Sequence, residues 1–307
     1  MKKIKKKYTN FKFNKYPISD EFGIYKIYKI PFNERIFANA DKLMSVLPKT
    51  IKETKKIAFK TKNVKSYDGE KVNIYIFKPK NIDTEKIFLY IHGGGFVYRG
   101  AKNHYNFCRK LAEEGLCTVV YVDYRLAYKY KYPVPVEDAF AAYKYILKNM
   151  KKSKKIIIGG DSAGGCLAID VIRKANELNL HIPDYLFLFY PVLDKRMETE
   201  SMKKYTDTPV WNSVLNRKMW ELYLKDNEKY ISPGEMDDVS FMPKTYIETA
   251  EYDCLHDEAI EFAEKLKKEH KDVIVNETKQ TMHGFDMKNG KITQKIVNQR
   301  LELISKI

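Results

Sequence analysis

Arginine is scarce in this chain, supplying only eight of its 56 basic residues. Planar, bidentate recognition of phosphates and base edges favours the guanidinium group. A formal net charge of +16 would attract polyanions, yet the lysines that carry it are spread along the whole chain, and no nucleic-acid partner is expected. Cysteine is sparse as well: Cys108, Cys117, Cys166 and Cys254 show no Cys-x-x-Cys spacing, which excludes a disulfide framework and leaves free thiols. No run approaches the roughly 18 apolar residues of a membrane helix. The most apolar stretch is "YLFLFYPVL" at 185–193, so no membrane span is expected. The opening "MKKIKKKYTNFKFNKY" is basic like the start of a secretory signal, but no apolar core or cleavage site follows it. A cytoplasmic location is the expectation. Glycine is also thin at 14 in 307 residues, which makes three consecutive glycines at 93–95 conspicuous.

A chain of this length with 44% hydrophobic residues can bury the core of one large domain, or of a domain with a subdomain. Short β-rich apolar runs predict strands at 72–78, 86–91, 117–122, 155–158, 185–190, 244–249 and 272–276. Between them, apolar residues at helical spacing predict helices over 136–148, 163–178 and 257–268. The alternation points to an α/β fold with a mostly parallel central sheet flanked by helices. Two segments break it. Residues 1–60 carry a helical pattern (Ile36, Ala40, Leu43, Leu47), and residues 195–240 form a strandless insertion with a helix expected around Trp211 to Leu224. The expected organisation is therefore an N-terminal cap segment (1–60), a first part of the core (61–194), a helical cap insertion (195–240) and a second part of the core (241–307).

Two glycine motifs carry the chemistry. His92-Gly93-Gly94-Gly95 follows one predicted strand, and Gly160-Asp161-Ser162-Ala163-Gly164, reading G-x-S-x-G, follows another and opens a helix. In a strand–turn–helix context such a serine sits on a sharp elbow, where flanking side chains would clash. Helix N-terminal amides beside it favour negative charge.

With these motifs, and with "VVYVDYRLAYKYKYPVPVEDAFAAYKYI" at 119–146, "ETAEYDCLHDE" at 248–258 and "MHGF" at 282–285, the chain resembles the hormone-sensitive-lipase-like esterases of the α/β-hydrolase fold. The resemblance covers residues 65–307. It implies a helical cap, a Ser-His-Asp triad, no cofactor and no metal. It further implies that the N–H groups of Gly94, Gly95 and Ala163 form the oxyanion hole, with His92, Gly93, Gly160 and Gly164 as structural members of the two motifs.

The triad partners can also be sought from the residues themselves. Ser162 needs a base, and the base an orienting acid. Of six histidines, His92 precedes the glycines, His104 and His270 fall in polar helical stretches, His181 in a loop and His256 inside "DCLHDE". His283 remains, in a turn-like stretch after the last predicted strand. The acid should end a strand between Ser162 and that histidine. Asp253 does so, with Glu251 and Asp257 as nearby rivals.

Other features read as structural. Asp123 and Arg125 are expected in a buried polar network, and Cys166 in the helix core. Trp211 and Trp220 could line a pocket or could equally pack a cap helix. The leading expectation is a serine carboxylesterase acting on a small-molecule ester. An amide or formamide hydrolase resembling kynurenine formamidase is the alternative, and a non-catalytic binding module, as in the plant gibberellin receptors, is a more distant one. A homodimer is left open. In the insertion at 195–240, 17 of 46 residues are charged, so the expected substrates are soluble short-chain esters, acetyl to about hexanoyl, taken without interfacial activation.

Overall fold

The computed structural model describes residues 15–150, 154–225, 227 and 229–307; most of the N-terminal basic stretch lies outside them. In chain order the strands are β1 (Ile57–Lys65), β2 (Lys71–Pro79), β3 (Lys86–Ile91), β4 (Thr118–Asp123), β5 (Lys155–Asp161), β6 (Tyr185–Phe189), β7 (Lys244–Tyr252) and β8 (Val273–Met282). The helices are α1 (Glu34–Met44), α2 (Lys102–Glu113), α3 (Val134–Asn149), α4 (Ala163–Glu177), α5 (Glu200–Lys204), α6 (Ser213–Leu224), α7 (His256–Lys268) and α8 (Lys291–Ser305).

The strands form one sheet in the order β1-β2-β4-β3-β5-β6-β7-β8. The pairings of β2 with β1 and with β4 are antiparallel, and those from β4 through β8 are parallel. The physical reason is visible in β4, whose "TVVYVD" is buried at every position: a strand covered on both faces carries a continuous apolar run instead of an alternating one. Helices α3 and α4 pack on each other, α4 on β5, α2 on β2 and β4, and α7 on β7 and β8. Among the described residues no helix is long and apolar enough to cross a membrane.

Two elements differ from the sequence pattern. Strand β1 begins at Ile57, ahead of the first strand expected at 72, and was not foreseen because its "IAFKTKNVK" alternates only weakly and it pairs on one side alone. Strand β8 runs to Met282 instead of ending at 276, since pairing with β7 carries it past Lys279 and Gln280 through a register shift near Ala250 and Tyr252.

Helix starts are set by local chemistry. The Asn33 side chain accepts from the Arg35 N–H at 2.9 Å and Asn212 from the Leu215 N–H at 3.1 Å, giving α1 and α6 side-chain N-caps. Ser162 occupies the same position on α4 yet makes no side-chain cap bond. Its hydroxyl is committed elsewhere.

Candidate active site

Ser162 sits between the end of β5 and the start of α4 with φ 52° and ψ −121°. A positive φ is costly for a residue with a Cβ and persists only where the surroundings enforce it. Here they do: the Ser162 N–H donates to the Phe189 carbonyl at 2.9 Å, and its carbonyl accepts from Val192 and Gly165 at 3.0 Å each. The neighbouring glycine is obligatory, because a Cβ on Gly164 would lie 2.0 Å from the Ile91 carbonyl oxygen.

The Ser162 hydroxyl lies 2.9 Å from His283 Nε2, and His283 Nδ1 lies 2.7 Å from Asp253 Oδ2. With the imidazole donating from Nδ1 to the carboxylate, Nε2 is left to accept from the serine. All three residues are buried. Asp253 follows β7, where its Oδ1 also accepts from the Leu255 N–H at 3.0 Å, and His283 follows β8 directly. The rivals point elsewhere. Glu251 accepts from the Gln280 N–H at 2.7 Å, and Asp257 from the Ser201 N–H at 2.7 Å while pairing with His256.

The glycine loop lies across the elbow from this chain of contacts. Gly94 and Gly95 have φ of +111° and +57°. The N–H groups of Gly94, Gly95 and Ala163 donate to no backbone carbonyl among the described residues. The loop is held at Gly93, whose N–H donates to Asp161 Oδ1 at 3.0 Å and whose carbonyl accepts from His92 Nδ1 at 2.7 Å. His92 itself is stacked on Tyr124 at 4.2 Å between ring centres. Burial, with the charge of His104 adding to it, lowers its pKa to about 3, so the ring stays neutral and keeps its proton on Nδ1.

Sequence reasoning gave Asp161 no role and, while placing His104 on a helix as the structure does, gave it no partner. Asp161 accepts from Tyr90 Oη at 2.7 Å as well as from Gly93, and its second oxygen lies 3.1 Å from His104 Nε2. Burial pushes this carboxyl up, but the His104 charge and the three hydrogen bonds outweigh it and hold the pKa well below the usual carboxylate range. Burial likewise opposes charge on His104, and Asp161 reverses the balance to raise it. The signal in the sequence was the position of Asp161, a carboxylate trapped inside a motif of glycines where only a satisfied charge is tolerated.

Trp211 is resolved as well. It precedes α6, with its indole edge against Gly95, where an added Cβ would stand 2.7 Å from the ring, and its ring centre 6.1 Å from that of His283. Its Nε1–H donates to Asn216 at 3.2 Å. The preceding Val210 has φ +66°, unusual for a β-branched residue. A parallel bridge between Lys29 and Val210 holds it there. Trp220 instead packs against Phe96, Tyr223 and Tyr230.

A cavity of about 370 Å³ opens over Ser162 and His283, lined by Tyr28, Ile30, Ile36, Met44, Tyr98, Val210, Trp211 and Met287. A second cavity of about 450 Å³ shares Asn103, His104 and Met287 with it but does not reach Ser162. Asp123 and Arg125, expected in one network, belong to two: Asp123 pairs with Arg99 and Tyr75, Arg125 with Asp138 and Asp68. Cys166 is buried against Tyr230 as expected for a core residue. His256 bonds Asp257 and lies 3.3 Å from Glu277, His181 is exposed near Asp184, and His270 is exposed beyond α7.

Residues 88–287 match the family model described as alpha/beta hydrolase fold. The esterase LipI of Mycobacterium tuberculosis is 30% identical over 208 residues, 65% of this chain and 65% of its own length, so the match spans just under two thirds of that relative. The carboxylesterase NlhH of the same species is 27% identical over 237 residues, 71% of this chain and 73% of NlhH. Among solved structures, a bacterial heroin esterase superposes with a TM-score of 0.80 at 28% identity, covering 94% of this chain and 98% of that one.

Proposed function

Because the chain belongs to the hormone-sensitive-lipase-like esterase family of the alpha/beta hydrolase fold, we propose that it is a serine carboxylesterase hydrolysing small, short-acyl esters through an acyl-enzyme. The observation that carries this reading is the continuous contact chain Asp253–His283–Ser162, at 2.7 and 2.9 Å. Ser162 Oγ attacks the ester carbonyl carbon as its proton passes to His283 Nε2, and Asp253 stabilises the resulting imidazolium. The carbonyl oxygen becomes an anion that accepts from the N–H groups of Gly94, Gly95 and Ala163. Such preorganised donors contribute on the order of 3 kcal/mol each to the rate. His283 then protonates the departing alkoxide. In the second half it takes a proton from water, whose oxygen attacks the acyl carbon, and returns that proton to Ser162 Oγ as the acyl–oxygen bond breaks and the carboxylic acid leaves.

The N-terminal segment and the insertion at 195–240 act together as the cap. The support is that Tyr28, Ile30 and Ile36 come from one, Val210 and Trp211 from the other, and all line the cavity. A cytoplasmic location rests on four free, buried cysteines, the usual state of thiols in a reducing compartment.

Each added acyl methylene contributes up to ~0.8 kcal/mol while the cavity has room and nothing once it is full. Hydrolysis of p-nitrophenyl esters from acetyl to palmitoyl, with matched anilides in parallel, should therefore peak at short acyl chains and favour esters. Highest kcat/KM on palmitate, or on the anilides, would replace this reading with a lipase or an amidase.

A further inference from the structure

Among the described residues, apolar exposure is densest over one stretch of the chain. Of thirteen exposed large hydrophobic residues among those described, six fall within residues 24–46: Ile24, Ile27, Tyr28, Ile36, Leu43 and Val46. Leu43 is 72% and Ile24 68% exposed. The lysine-rich N-terminal segment therefore exposes more large apolar side chains than the charged insertion, where Val214 and Ile231 are exposed. On α1, Ile36 and Leu43 are seven residues apart and share a row. Phe37, about a quarter-turn round the helix, is buried and anchors α1 to the core. On the opposite flank of that row, Arg35 and Lys42 repeat the same spacing and are exposed, as are Lys29 and Lys49. Asp41 does not offset them, because it turns inward to Arg99 and Tyr128. An apolar row with a basic row beside it is the pattern of a helix lying in a membrane interface. Tyr28 and Ile36 also line the cavity over Ser162, so this face is its rim.

We propose that this face docks on an anionic lipid bilayer, which sets the mouth of the cavity in the headgroup region and lets ester substrates enter from the leaflet. Positive charge complements the anionic lipid, and the exposed isoleucines and Leu43 enter the acyl boundary. Docking requires no lid to move, and the rate on bilayer-dissolved esters then follows the adsorbed fraction of enzyme. Delivery to the active site rests on the esterase reading above, whereas adsorption is measured without catalysis, so each can fail alone.

The test is co-sedimentation of the full-length protein with sucrose-loaded vesicles of phosphatidylcholine, with and without phosphatidylglycerol, across a salt series. Binding should be at least about tenfold stronger to the anionic vesicles and should weaken with salt. The double variant Ile24→Asn/Leu43→Asn should lower vesicle affinity at least about tenfold while leaving hydrolysis of soluble p-nitrophenyl acetate unchanged, which also shows that it folds. Lys42→Glu should weaken binding to anionic vesicles only. Failure to sediment with anionic vesicles, or sedimentation indifferent to the double variant, would overturn the proposal. So would a dimer in light scattering that the same variant dissociates, because a second copy would then cover this face.

Discussion

The Gly93 N–H donates to the Asp161 carboxylate at 3.0 Å, so the residue before Ser162 grips the residue before Gly94 and Gly95. In the proposed mechanism this hydrogen bond helps to set the distance between the attacking oxygen and the donors that receive the developing charge. His104 holds the far side of the same carboxylate.

Asp161→Asn should retain substrate binding but lose turnover: the amide oxygen can still accept from both Gly93 and Tyr90, which share Oδ1, yet the group is no longer the charge that His104 balances. We expect kcat to fall about tenfold to a hundredfold with KM nearly constant, since oxyanion stabilisation acts in the transition state alone. Steady-state kinetics with a soluble ester checks this, and a rise in KM at constant kcat would mean that Asp161 shapes the pocket instead.

Replacing Ser162 by Ala should remove nearly all esterase activity, and His283→Gln should cost a comparable amount because the members act as a unit, on the order of 10⁴-fold or more. Asp253→Asn is expected to lose less. Asp257→Asn should stay near wild type, since Asp257 faces Ser201 and His256. The reverse order of the two aspartate variants in a rate assay would move the acid to Asp257.

Trp211→Ala opens space between Gly95 and His283. The octanoate-to-acetate ratio of kcat/KM should rise by about tenfold, the scale on which hydrophobic pockets discriminate chain length. Equal losses on both esters would reduce Trp211 to a support for the oxyanion loop.

Asp170 allows a pH prediction for stability. Burial raises its pKa to about 6, despite the Arg173 charge and the Tyr230 hydrogen bond. A folded-state pKa above the unfolded value means that the native state binds the proton more tightly. The associated stability is present in full below about pH 4 and is lost as pH rises through about 6, a swing on the order of 3 kcal/mol. Urea unfolding of the wild type and Asp170→Asn between pH 4 and 7 should show the wild type gaining on the variant as the solution is acidified. No change in their difference would place the Asp170 proton elsewhere.

Local sequence determined the parts that local physics controls. The Val-rich "TVVYV" read as a strand and is one, buried at every position, and the glycines flanking Ser162 marked a sharp turn between strand and helix. That Ser162, Asp253 and His283 would come together was legible because each directly follows a strand, in an order that the alternation of strands and helices displays. The tertiary structure alone decided what depends on contacts between distant segments. His104 read as one more polar helical residue until α2 packed on the sheet beside Asp161, 57 positions away in sequence. Whether Trp211 packed a helix or faced His283 turned on a backbone bridge between Val210 and Lys29, which no local pattern encodes. The helical pattern Ile36, Ala40, Leu43, Leu47 said only that these residues share a face, and only the fold showed that Phe37 takes the core side while Leu43 is left facing water. Periodicity reports which residues share a helix face, whereas the packing partners decide which face is covered.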